Sequence, residues 1–190
     1  PYRRQRQMCI RDSPNGGGKT SLLRTILRLQ SPTKGRISFF RQGEPVSSLD
    51  MGYLPQKNSI DSRFPITVEE VVASGLMGNT QKGNTKFDSK KEIDEMLDLM
   101  GITALRNKPI GVLSGGQLQR SLFGRALISK PEMLILDEPA SYIDRQFGNR
   151  MFEILRDLSS NGTTIMMVSH EIEPFITLSL SLIHISEPTR

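Results

Sequence analysis

The stretch NGGGKT, residues 15–20, has the residue types a polyphosphate needs. Gly16, Gly17 and Gly18 put no side chain between the backbone and an anion, so their N–H groups can close around phosphate oxygens, with Asn15 and Ser21 bracketing the loop. A helix starting directly behind the loop would turn its partially positive N-terminus toward the same anion. Lys19 would then reach the β and γ phosphates of a nucleoside triphosphate, and the Thr20 hydroxyl would ligate Mg²⁺. The full phosphate-loop pattern has Gly where this chain has Ser13, and a glycine-rich turn without nucleotide is the other reading of this stretch taken alone.

A second stretch, MLILDEPA (133–140), is an apolar run that delivers Asp137 and Glu138 at its end. In a nucleoside triphosphatase the first carboxylate holds Mg²⁺ through its water shell, and the second orients and deprotonates the attacking water. Alone, the stretch reads equally well as a strand end with two solvated acids. His170, after TIMMVS, has the same standing, because a lone strand-end histidine is more often structural than catalytic.

These groups need elements to position them. Leu22, Ile26 and Leu29 recur at helical spacing behind the glycine-rich loop, and GRISFF and MGYLPQ read as short strands. In FPITVEEVV, Thr67 followed by Glu70 predicts a capping box that opens a helix. The pattern stays helical to about residue 112, with Ile93, Met96, Leu97 and Met100 on one face and QKGNTKFDSK as a polar loop between helices. LSGGQ leads into a helix from about Gln117. Between the apolar strands EMLILDE and GTTIMMVSH lies a helix that turns Met151, Ile154, Leu155 and Leu158 inward. Continuous apolar strands flanked by amphipathic helices predict an α/β fold with a parallel sheet covered on both faces. Ligands of such sheets sit at the carboxyl ends of the strands, where Asp137, Glu138 and His170 fall.

With 190 residues, the chain is large enough for one such domain with a real core. A single cysteine, Cys9, excludes an internal disulfide framework and suits a reducing compartment. Of the net charge of +5, residues 1–13 carry +3 through Arg3, Arg4, Arg6 and Arg11 against Asp12. A basic head on a nearly neutral body does not make a nucleic-acid groove, and no nucleic-acid partner is expected.

LSGGQLQR (113–120) gives these stretches a common meaning. The chain resembles the nucleotide-binding domain of ATP-binding cassette (ABC) ATPases. Six motifs stand in that family's order: a phosphate loop ending Gly18-Lys19-Thr20, the loop glutamine Gln56 in YLPQ, the signature at 113–117, the carboxylates Asp137 and Glu138, a loop SYID ending at Asp144, and the switch histidine His170. The resemblance implies a P-loop NTPase-like sheet (13–66 and 113–175) with an inserted α-helical subdomain (about 67–112). It implies ATP and Mg²⁺ as cofactors, Thr20, Gln56 and Asp137 around the metal, and Glu138, His170 and Gln56 in catalysis. It also implies a head-to-tail homodimer in which Ser114, Gly115 and Gly116 face the partner's nucleotide, with Gln117 and Asp144 among the nucleotide-binding residues.

A single cassette with a helical insertion of about 45 residues favours transport over the soluble members of the family. Residues 52–78 most resemble the ATP-binding subunits of bacterial zinc and manganese importers, in particular Asp61 with FPITVEEVV and the form LSGGQLQR. The function so implied is ATP hydrolysis at the inner face of the cell membrane, driving uptake of a metal ion or metal chelate through a separate permease supplied by a solute-binding protein. An importer of another solute and a soluble non-transport ATPase are the alternatives. The ends, PYRRQRQMCIRDS and SLIHISEPTR, read as junction peptides replacing native segments (1–12 and 181–190), with QMCI filling a strand slot next to MLILD and weak ATP binding as the consequence.

Overall fold

A computed structural model describes residues 7–11, 19–56, 64–77, 86–139, 142–169 and 182–184. In chain order the elements are β1 (Gln7–Arg11), α1 (Lys19–Ile26), β2 (Phe39–Arg41), β3 (Glu44–Val46), β4 (Met51–Leu54), α2 (Val68–Ser74), α3 (Lys86–Leu99), α4 (Gly115–Leu127), β5 (Met133–Asp137), α5 (Arg145–Ser160), β6 (Thr164–Ser169) and β7 (Leu182–His184). Short 3-10 turns at Thr103–Leu105 and Ile110–Val112 join α3 to α4.

The main sheet has the order β4-β5-β6-β1-β7, with every neighbouring pair parallel. A parallel sheet needs cover on both faces, and alternation along β5 supplies it. Leu134 and Leu136, with Ile165 and Met167 of β6, belong to the core shared with α2, α4 and α5. Met133 and Ile135, with Met166 and Val168, pack instead with Leu23 and Ile26 of α1 and Phe39 of β2. Two residues beyond Ile135, Asp137 falls on the α1 face by the same alternation. The outlying antiparallel pair β2-β3 is tied to the sheet's lower edge by Arg41, whose Nε donates to the Glu132 carboxylate at 2.6 Å.

Two sequence expectations are corrected. Residues 7–10 do not lie beside MLILD. β1 runs between β6 and β7, with Met8 opposite Met166 and Ile10 opposite Val168. Both edges of β5 are already taken by β4 and β6, so no slot remains there. Nor does Leu29 extend the inward face of α1. The Leu29 and Arg28 N–H groups turn back to the carbonyls of Arg24 and Thr25 at 2.8 and 3.1 Å, with Arg28 in the left-handed region at φ 59. This is the wrap-around stop that glycine usually occupies. Arg28 is held there by donating to the Ser47 carbonyl and by stacking 5.2 Å from the Phe39 ring centre. The inward pair is Leu23 and Ile26, while Leu22 and Leu29 of the predicted i, i+4, i+7 set are 37% and 70% exposed.

The other elements follow the pattern closely. Thr67 caps α2 with both halves of the capping box in place, and this holds the Glu70 carboxyl below the usual carboxylate range, mainly through the Thr67 N–H. α3 starts at Lys86, inside the segment read as loop, and residues 78–85 lie outside the described residues. Ile93, Leu97 and Met100 are buried and Met96 packs beside them. In α5 Met151 and Leu155 are buried, while Ile154 and Leu158 pack at the core's margin.

Candidate functional site

All strands of the main sheet point their carboxyl ends to one edge, which gathers the ends of β1, β4, β5 and β6. Gln56 lies two residues beyond β4 and is exposed. Asp137 ends β5 at 4% exposure, and Glu138 follows it, half-buried. Glu138 has φ 52, a left-handed conformation that costs a residue with a Cβ roughly 1–2 kcal/mol. Its N–H is anchored to the Val168 carbonyl at 2.9 Å. The backbone of Lys19 and Thr20 forms the first turn of α1, on the face of the sheet that Asp137 shares. Ser21 is exposed on the next position, its carbonyl accepting from the Thr25 hydroxyl at 2.7 Å. Asn15, Gly16, Gly17, Gly18 and His170 lie outside the described residues.

Tyr53 of β4 reports on the same electrostatic neighbourhood. Burial pushes its phenol pKa up, the Asp137 charge pushes it further, and Arg24 of α1 opposes both. Among the described residues no three His, Cys, Asp or Glu side chains group to hold a metal. The strand end offers one nearly buried carboxylate beside a helix start bearing a hydroxyl residue. That donor set fits Mg²⁺, which keeps several waters and takes one or two carboxylates plus substrate phosphates.

A second feature is the N-terminus of α4. Ser114 caps it: its hydroxyl accepts from the Gln117 N–H at 3.3 Å, and Gln117 Oε1 accepts from the Ser114 N–H at 3.0 Å. The box satisfies two of the four first-turn N–H groups and leaves those of Gly115 and Gly116 as the donors at the helix end. They border an open pocket of about 570 Å³ that is also lined by Gly101, Arg120, Tyr142 and Asp144. Gly116 has a packing reason as well, since a Cβ there would stand 2.9 Å from the Tyr142 carbonyl oxygen. Asp144 caps α5 by accepting from the Phe147 N–H at 2.9 Å.

Sequence reasoning missed Gln119 and Arg120, which seat α4 on the segment after β5. Their signal was present as the QR that follows the signature, but helical patterning gives no partner for a polar residue.

The family model described as ABC transporter matches residues 14–141. The chain belongs to the ABC transporter family. Among its relatives in that family, a "Probable metal transport system ATP-binding protein" of Chlamydia pneumoniae is 41% identical over 163 residues, 84% of this chain and 66% of that one. The zinc uptake system ATP-binding protein ZurA of Listeria monocytogenes is 39% identical over 166 residues, 84% and 64% of the two chains. The zinc import ATP-binding protein ZnuC of Hydrogenovibrio crunogenus is 34% identical over 161 residues, 84% and 60%. The chain thus spans less than two thirds of the length of these relatives. The fold is that of a solved cassette: the dimeric bacterial ABC transporter cassette MJ0796 superposes with a TM-score of 0.77 at 22% identity, over 96% of this chain and 81% of that one. Its α/β architecture is that of the P-loop NTPases, as the sequence predicts.

Proposed function

We propose that this chain is the ATP-binding and ATP-hydrolysing subunit of an ABC importer that powers uptake of a metal ion or metal chelate through a separate membrane permease. The observation that carries the reading is the convergence of Asp137, Glu138, Gln56 and the start of α1 on one sheet edge, in a chain 34–41% identical to proteins named for metal and zinc transport. Mg²⁺, when bound with the nucleotide, neutralises charge that develops on the phosphates. Asp137, Thr20 and Gln56 would hold it, Lys19 and the loop N–H groups of residues 15–18 would fix the phosphates, and Glu138 would accept the proton of the attacking water, aided by Gln56 and His170.

The Gly115 and Gly116 N–H groups serve the nucleotide of a second copy, so two chains close head to tail over two nucleotides, with Ser114, Gln117 and Asp144 at the same boundary. The helical subdomain, about 67–112, leads directly into the signature and moves with the nucleotide state, working on the permease from the cytoplasmic face of the membrane. Among the described residues no helix is long and apolar enough to cross a membrane. Residues 52–78 form the permease dock in this reading, where Phe64 and Met77 are 62% and 78% exposed.

Glu138→Gln tests the chemistry. Removal of the base lowers turnover by a factor of about 10²–10⁴ and leaves ATP binding intact, so that a long-lived dimer accumulates in Mg-ATP on gel filtration. Undiminished hydrolysis with no dimer would remove Glu138 from this role. A cysteine at Phe64 that cross-links to soluble proteins and never to a permease would transfer the reading to a non-transport ATPase.

A further inference from the structure

One face of α4, made by Gly116, Gln119 and Arg120 at i, i+3 and i+4, rests on the segment that follows β5. Gly116 lies under the Tyr142 carbonyl and Arg120 pairs with Asp144. Gln119, between them, is 1% exposed. Its Nε2 donates to the Pro139 carbonyl at 3.4 Å, while its Oε1, equally buried, has no hydrogen-bond partner among the described residues. A half-satisfied buried amide is unfavourable, and an apolar side chain of the same length would fill the space without that penalty. The amide therefore calls for a reason other than packing.

Its one partner suggests the reason. Pro139 follows Glu138, whose φ of 52 is a conformation that persists only where the surroundings hold it. Two backbone anchors bracket that residue: its own N–H on the Val168 carbonyl at 2.9 Å, and the Pro139 carbonyl on Gln119. Proline has no N–H to give, so the carbonyl is its only backbone hydrogen-bonding group.

We infer that Gln119 is a positioning residue for Glu138: its amide holds the Pro139 carbonyl, keeps the left-handed turn that aims the Glu138 carboxylate, and so ties that aim to the seating of the helix that presents Gly115 and Gly116. The inference rests on the proposed role of Glu138 as the base. It makes the two half-sites of one chain mechanically dependent, because a shift of α4 that stretches the 3.4 Å contact releases the turn.

The test is Gln119→Met in the full chain, which keeps side-chain length and removes the donor and the orphaned acceptor together. Three quantities are measured: the thermal midpoint, NMR-detected exchange of the Glu138 amide hydrogen, and kcat and KM for ATP. The expected result is a midpoint near that of the unsubstituted chain, with Glu138 exchange faster by about fivefold to tenfold and kcat lower by a similar factor at unchanged KM. A merely structural role would move the midpoint and leave Glu138 exchange in step with its neighbours. Unchanged Glu138 exchange overturns the inference whatever hydrolysis does. Faster exchange in a protein whose unsubstituted form hydrolyses no ATP supports the positioning role and overturns the ATPase reading. If Gln119→Met does not fold, Gln119→Leu, which also carries no donor at any pH, must give the same local acceleration, and normal exchange there overturns the inference.

Discussion

Arg120 of α4 is ion-paired with Asp144, the residue that caps α5, and its guanidinium lies 4.4 Å from the centre of the Phe147 ring. Asp144 thus accepts from two elements at once: the Phe147 N–H of its own helix and the Arg120 guanidinium of the signature helix. Both bonds favour the ionised carboxylate. The Phe147 N–H is the larger cause and Arg120 the next, and together they hold the Asp144 carboxyl below the usual aspartate range.

A depressed folded pKa contributes stability above the unfolded pKa, and that contribution is lost as pH falls through the folded value. Asp144→Asn keeps an equally good cap and removes the charge. The thermal midpoint of the unsubstituted protein should exceed that of Asp144→Asn by a constant margin from pH 7 down to about 5, and the margin should close as pH drops below about 4. A margin that persists undiminished at pH 3 would mean that the Arg120 pair adds nothing beyond the cap.

Two glycines of neighbouring helices should respond to alanine with opposite sign. At Gly116 the new Cβ meets the Tyr142 carbonyl oxygen at 2.9 Å, and since that neighbour is backbone, Gly116→Ala should destabilise by about 1–2 kcal/mol. At Gly148, within α5, a Cβ meets nothing within 4 Å, so Gly148→Ala should stabilise by about 0.5–1 kcal/mol through lower unfolded-state entropy. Urea midpoints for the two variants check the pair. Equal effects would show that α4 does not seat on Tyr142 as described.

The end of α1 can be tested by truncating two leucines. Leu23, fully buried against β5 and β6, should cost about 2–5 kcal/mol as alanine. Leu29, 70% exposed beyond the helix stop, should stay within about 0.5 kcal/mol. A large loss at Leu29 would instead support the longer helix that the i, i+4, i+7 spacing predicts.

What the sequence alone determined is what depends on neighbours along the chain. The Thr67-Glu70 box, the apolar runs of β5 and β6 and the acids at the end of β5 are local patterns, and each sits where its spacing predicts. The family's ordered motifs were legible for the same reason. Tertiary structure alone decided which strand edge was open, and so placed β1 beside β6 and not β5. It decided that Leu29 does not face the sheet, because a left-handed Arg28 held by Ser47 and Phe39 ends the helix early. It also decided the partners of Gln119 and Arg120, since a buried amide or a guanidinium is satisfied by atoms 20 and 24 residues away, which no periodicity records.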